Sequence, residues 1–98
     1  MAYRIIWSEK ALSDIEAIAE YIAKDSLRYA SNVVRKILRS VRILQDFPMS
    51  GKSVREFADP NIRELQAAGY RVIYRVASRE QVVVLSVLHA RRNLTEQP

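Results

Sequence analysis

The chain reads as an α+β fold in the order β-α-α-β-β-β, an antiparallel sheet with a helical hairpin packed on one face. Three observations predict it. Residues 61–94, NIRELQAAGYRVIYRVASREQVVVLSVLHARRNL, hold the longest β-branched runs of the chain. Tyr70, Val72, Tyr74 and Val76 alternate there with Arg71, Ile73 and Arg75, the period-2 pattern of a half-buried strand. Ahead of that stretch, two segments with apolar residues three and four apart are separated only by Asp25-Ser26, which makes two antiparallel helices. Apolar residues amount to 49%, with only two glycines and three prolines among 98 residues, so one packed domain spanning 1–98 is expected, with disorder confined to the last few residues.

The opening strand is placed at 3–7, where YRIIW is aromatic and β-branched. Ser8 followed by Glu9 then supplies an N-cap with an acid in the first turn, and the first helix spans 9–24. Its inner stripe is Leu12, Ile15, Ile18, Ala19 and Ile22; Asp14, Glu16 and Glu20 are assigned to a solvated outer face. In the second helix, 27–46, the stripe is Leu27, Ala30, Val34, Ile37, Val41 and Leu44, widened by Val33 and Leu38. Phe47-Pro48 stops it, because proline removes a donor and disfavours helix in the residue before it. An irregular segment at 47–61 carries turn chemistry at Ser50-Gly51 and Asp59-Pro60-Asn61, with a short extended piece at 54–57. Strands follow at 62–66, 70–77 and 81–88, then a tail at 89–98. The run VVVLSVL identifies the last strand as central and covered on both faces. If Tyr70, Val72, Tyr74 and Val76 lie under the helices, Arg71 and Arg75 point into an open face.

Composition excludes several classes of chemistry. With no cysteine and one histidine, disulfides, thiol nucleophiles and ordinary zinc sites are ruled out, and no metal or cofactor is expected. Phosphate-binding glycine loops and nucleophile elbows are absent from the sequence. No signal-peptide core opens the chain and no apolar run approaches the ~20 residues that span a bilayer, so a cytoplasmic protein without membrane association is expected. The net charge of +5 is uneven: residues 1–25 hold three basic and five acidic side chains, 26–51 five and one, and 52–98 eight and five. That field favours acidic partners. Arg28, Arg35, Lys36, Arg39 and Arg42 on the second helix are either a solvated face or a partner contact.

The chemically suggestive residues are Arg71, Arg75, His89, Arg91 and Arg92. Guanidinium groups beside a scissile phosphate stabilise developing charge, and a histidine could move the proton of a ribose 2′-hydroxyl, which is metal-free ribonuclease chemistry. The competing reading has a structural or surface histidine and arginines that bind an acidic segment.

The element order, Ser8 with Ala11 and Ile15, Tyr21-Ile22-Ala23, Phe47-Pro48 with Gly51, and above all RELQAAGYRVIYRV followed by VVVLSVLHARR, resemble the RelE/ParE superfamily of toxins from type II toxin–antitoxin systems. The resemblance covers nearly the whole chain. RelE-like members cut messenger RNA in the ribosome, using lysines upstream of the hairpin, the arginine of Gly-Tyr-Arg, a later arginine and a C-terminal tyrosine. Here Gly69-Tyr70-Arg71 is kept, Ile62 and Glu64 stand where lysines would, and LTEQP lacks a tyrosine. YafQ-like ribonucleases carry a histidine where His89 stands but need further histidines. The Arg-Glu-Leu strand and the His-x-Arg-Arg ending look like the ParE or plasmid-stabilisation branch, whose members are understood to inhibit DNA gyrase.

That branch implies no catalytic residue and a growth-inhibiting toxin that associates with gyrase and, in a hetero-oligomer, with a cognate antitoxin. Arg63, Arg71, Arg75, Arg91, Arg92, Arg35 and Arg39 would serve target or antitoxin binding. The alternatives are a ribosome-dependent endoribonuclease using Arg71, His89, Arg91 and Arg92, with ribosome and mRNA as partners, and a non-toxic homologue that only binds its antitoxin. On the open-face assignment, Arg71→Ala leaves the fold standing, whereas Val84→Asp or Leu85→Asp abolishes it.

Overall fold

The computed structural model describes residues 2–93. The elements are β1 (Arg4–Trp7), α1 (Glu9–Ala23), α2 (Leu27–Arg42), β2 (Lys52–Ser53), β3 (Ile62–Ala67), β4 (Tyr70–Val76) and β5 (Gln81–His89), with a single 3-10 turn, Ile43–Gln45, continuing α2. Two helices pack on a five-stranded sheet of order β1-β5-β4-β3-β2. β3, β4 and β5 form the expected antiparallel meander. β1 instead runs parallel to β5, with Ile5 opposite Val82 and Trp7 opposite Val84, so the sheet is mixed. The helical hairpin and the meander between β1 and β5 supply the long connection that parallel neighbours require. None of the described helices is long and apolar enough to cross a membrane.

Local chemistry sets the helix ends. Ser8 caps α1 by accepting from the Ala11 amide at 3.0 Å, and its hydroxyl donates to the Leu85 carbonyl at 3.1 Å, tying the helix start to β5. Ser26 caps α2 in the same way through Tyr29 N at 3.1 Å. The main core lies between hairpin and sheet. Ala11, Val33, Ile37, Val41 and Leu44 meet Val72, Tyr74, Val82, Val84 and Val87 there.

Five expectations need correction. The apolar stripes are broader than the core can cover: Leu27 is 75% exposed, and Leu12 and Leu38 are exposed as well. Leu27 and Leu38 instead line an outer groove of about 520 Å³ between the helices, with Ala19, Ala23 and Val34. The extended piece expected at 54–57 lies two residues earlier, as β2, where Lys52 and Ser53 pair with Glu64 and Arg63. Val54 is buried instead in a second small cluster with Ile73 and Leu88 on the sheet face away from the helices, so that face is partly covered rather than open. Finally, Asp14 is not surface decoration. β1 stops opposite Val84, leaving the β5 edge beyond it unpaired, and the Asp14 carboxylate accepts from Val87 N at 2.9 Å and from the Ser86 hydroxyl at 3.0 Å. The tail expected at 89–98 starts inside β5, and its part beyond residue 93 lies outside the described residues.

Tyr74 explains why Pro48 and Gly51 stand where they do. Its side chain is fully buried, and its phenol donates to the Pro48 carbonyl at 2.7 Å while accepting from Gly51 N at 2.9 Å. Burial pushes the phenol above its ordinary pKa, with the Gly51 hydrogen bond and the nearby Arg63 charge pulling the other way. A Cβ on Gly51 would sit 2.6 Å from both the Glu64 carbonyl oxygen and the Tyr74 hydroxyl. Gly51→Ala is therefore expected to destabilise by roughly 1–3 kcal/mol through overpacking, read as a lower urea midpoint with an unchanged slope; an unchanged midpoint would show that the loop shifts freely.

Candidate functional site

Strand alternation places Arg71 on the sheet face away from the helices, together with Ile73 and Arg75, as the spacing predicts. The residue is nevertheless only 2% exposed. Nε donates to Glu64 Oε1 at 3.1 Å and Nη2 to the same oxygen at 2.6 Å. Nη1 and Nη2 form a fork on Glu56 at 3.0 and 2.9 Å, and Nη1 also donates to the Arg92 carbonyl at 2.8 Å. A guanidinium has five N–H donors, and these contacts use all of them. The hydrogen bond to Glu56 is the largest influence raising the Arg71 pKa above even its usual range, opposed by burial and reinforced by Glu64. Arg71 thus joins β3, β4, the loop carrying Glu56 and the end of β5. It presents no free donor to a phosphate or a partner.

The other predicted residues separate. His89 pairs across the ladder with Tyr70, and Arg71 with Leu88, so His89 and Arg71 point to opposite faces of the sheet. The His89 ring meets Tyr70 edge-on at 5.7 Å, and its Nδ1 accepts from Arg91 N at 3.2 Å. Arg63 pairs with Tyr74 and so lies on the helix side; its Nη1 donates to the Gly51 carbonyl at 2.6 Å, fastening the loop after Pro48. Arg75, Arg91 and Arg92 are exposed, as are Arg35 and Arg39 on α2, where Arg35 reaches Asn32 Oδ1 at 3.4 Å. Of the four groups of a ribonuclease site, His89 and Arg92 line one cleft, whereas Arg71 lies on the opposite sheet face with its donors taken. Among the described residues no cluster of His, Asp and Glu could hold a metal ion.

Glu56 and Glu64 are the functional neighbours that the spacing alone does not pair with Arg71. For Glu64 a signal exists: in an antiparallel β3–β4 pair it shares a face with Arg71 at a diagonal position. Glu56 sits in a loop with no periodicity to place it.

Residues 5–94 match the family model described as ParE toxin of type II toxin-antitoxin system, parDE. A curated relative from Sinorhizobium fredii (strain NBRC 101917 / NGR234), named "Putative toxin Y4kP", is 36% identical over 89 residues, covering 89% of this chain and 88% of its own. Among solved structures, the chromosomal ParDE system from P. aeruginosa is similar with a TM-score of 0.72 at 23% identity, over 90% of this chain and 96% of that one. A mutant of the E. coli toxin RelE in the free state has a TM-score of 0.66 at 24% identity, over 93% and 86%. The RelBE2 toxin–antitoxin complex from Mycobacterium tuberculosis reaches 0.65 at 19% identity, over 91% and 92%.

Proposed function

Because the chain belongs to the ParE toxin family of type II toxin–antitoxin systems, we propose that this toxin arrests growth by binding a protein target, DNA gyrase, and that a cognate antitoxin neutralises it in the cytoplasm. The observation that carries this reading is the saturated Arg71. Its donors are all taken by Glu56, Glu64 and the Arg92 carbonyl, so the arginine a nuclease would aim at phosphate is committed to the fold. His89, on the other sheet face, has no guanidinium of Arg71 to work with.

What remains is docking surface. Arg75, Arg91, Arg92 and Arg39 supply exposed positive charge, and Arg35 lines the apolar groove of the helical hairpin. An antitoxin segment with apolar residues for the groove and acidic residues for these arginines would bury the former and pair the latter.

Two assays on the purified toxin test the reading. Gyrase supercoiling is expected to fall with toxin concentration and to recover on addition of the antitoxin, while a translating extract shows no new primer-extension stops. Ribosome-dependent mRNA cuts with gyrase untouched would overturn it in favour of the ribonuclease. A chain harmless in cells lacking the antitoxin would identify the non-toxic homologue.

A further inference from the structure

A cleft of about 530 Å³ opens where the turn between α1 and α2 meets the β3–β4 turn. Three tyrosines line it, Tyr21 from α1, Tyr29 from α2 and Tyr70 from β4, together with His89 and Asp25. The β3–β4 turn forms the remaining wall with Ala68 and Gly69, both at positive φ (54° and 86°), as a tight two-residue hairpin turn requires. Tyr21 is 71% and Tyr29 58% exposed, an unusual amount of aromatic surface to leave in water. Exposed tyrosines in a concave setting are the side chains that anchor protein partners.

The chemistry of the lining selects the guest. Ring faces carry negative quadrupole potential and attract cations. Among the described residues of the lining Asp25 supplies the one carboxylate, and among the described residues no ion pair engages it. Burial first, and then the neighbouring phenols of Tyr29 and Tyr21, hold the Tyr70 phenol above its ordinary pKa. Arg92 lines the adjoining cleft, not this one. A phosphate-bearing ligand would find no lysine or arginine among the described lining residues to meet it.

We propose that this cleft is an aromatic cage for a guanidinium, an arginine side chain presented by a partner protein. The planar group stacks on tyrosine faces and places its N–H donors on the Asp25 carboxylate and phenolic oxygens.

The test is an NMR titration of the intact toxin with N-acetyl-arginine amide, against N-acetyl-citrulline amide as the uncharged isostere and a nucleoside monophosphate as the anionic aromatic. Saturable shifts are expected at Tyr21, Tyr29, Tyr70 and His89, with the arginine compound binding at least about fivefold tighter than the citrulline one. Tyr29→Leu and Asp25→Asn, both exposed positions that leave the core intact, are each expected to weaken binding by about three- to tenfold. Equal binding of citrulline, tighter binding of the nucleotide, or no shifts in the cleft would each overturn the proposal.

Discussion

Arg71→Ala is expected to cost roughly 3–5 kcal/mol, because it strands Glu64 as a buried carboxylate without its counter-charge and takes the guanidinium fork away from Glu56. The Glu64 side chain is 5% exposed, so water cannot replace the donors it loses. Against a total of ~5–15 kcal/mol for a domain of this kind, such a loss leaves a marginal or unfolded protein. The measurement is urea denaturation followed by circular dichroism. Combining Arg71→Met with Glu56→Gln and Glu64→Gln is expected to recover much of the stability, since the penalty lies in the stranded charges more than in the lost pair. A wild-type midpoint for Arg71→Ala alone would mean that the network holds nothing in place. The sequence-based expectation was the opposite, a tolerated change on an open face. The parity of the strand was correct, but that face is roofed by the loop carrying Glu56 and by the end of β5.

Val84→Asp is expected to abolish cooperative folding. Val84 is fully buried in the main core between the helices and the sheet, and an unpaired carboxylate there costs several kcal/mol, roughly the whole stability available. Loss of the near-ultraviolet circular dichroism signal would report it; a native spectrum with a midpoint within about 1 kcal/mol of wild type would refute it. Leu85→Asp, ranked equal with it from the sequence, should be milder. A register irregularity where Ile73 pairs with Ser86 but Tyr74 with Val84 leaves Leu85 only half-buried, beside the smaller cluster of Val54, Ile73 and Leu88.

The contrast between these two residues shows where pattern reading succeeds. Unbroken apolar runs announce burial, and VVVLSVL lies central in the sheet between β1 and β4. A bulge that shifts one residue between faces leaves no mark in such a run, because every side chain in it is apolar. The same holds for α2: Leu27 and Leu38 satisfy the helical period as well as Ile37 does, yet the sheet is wide enough to cover only part of that stripe.

By itself the sequence determined the order of the two helices and of β1, β3, β4 and β5, the helix cap at Ser8, the side of β4 that faces the helices, and the superfamily. Each follows from local periodicity, capping chemistry or short motifs, which neighbours in the chain specify without reference to the rest of the molecule. Only the tertiary structure decided that β1 joins the sheet parallel to β5, that Asp14 closes the exposed edge of β5, that Arg71 is consumed by Glu56 and Glu64, and that Tyr21, Tyr29 and Tyr70 converge beside Asp25. These pairings join residues far apart in the chain through loops and helix ends. A charge or an aromatic ring in the sequence states what a residue can bind; which partner reaches it first depends on the fold.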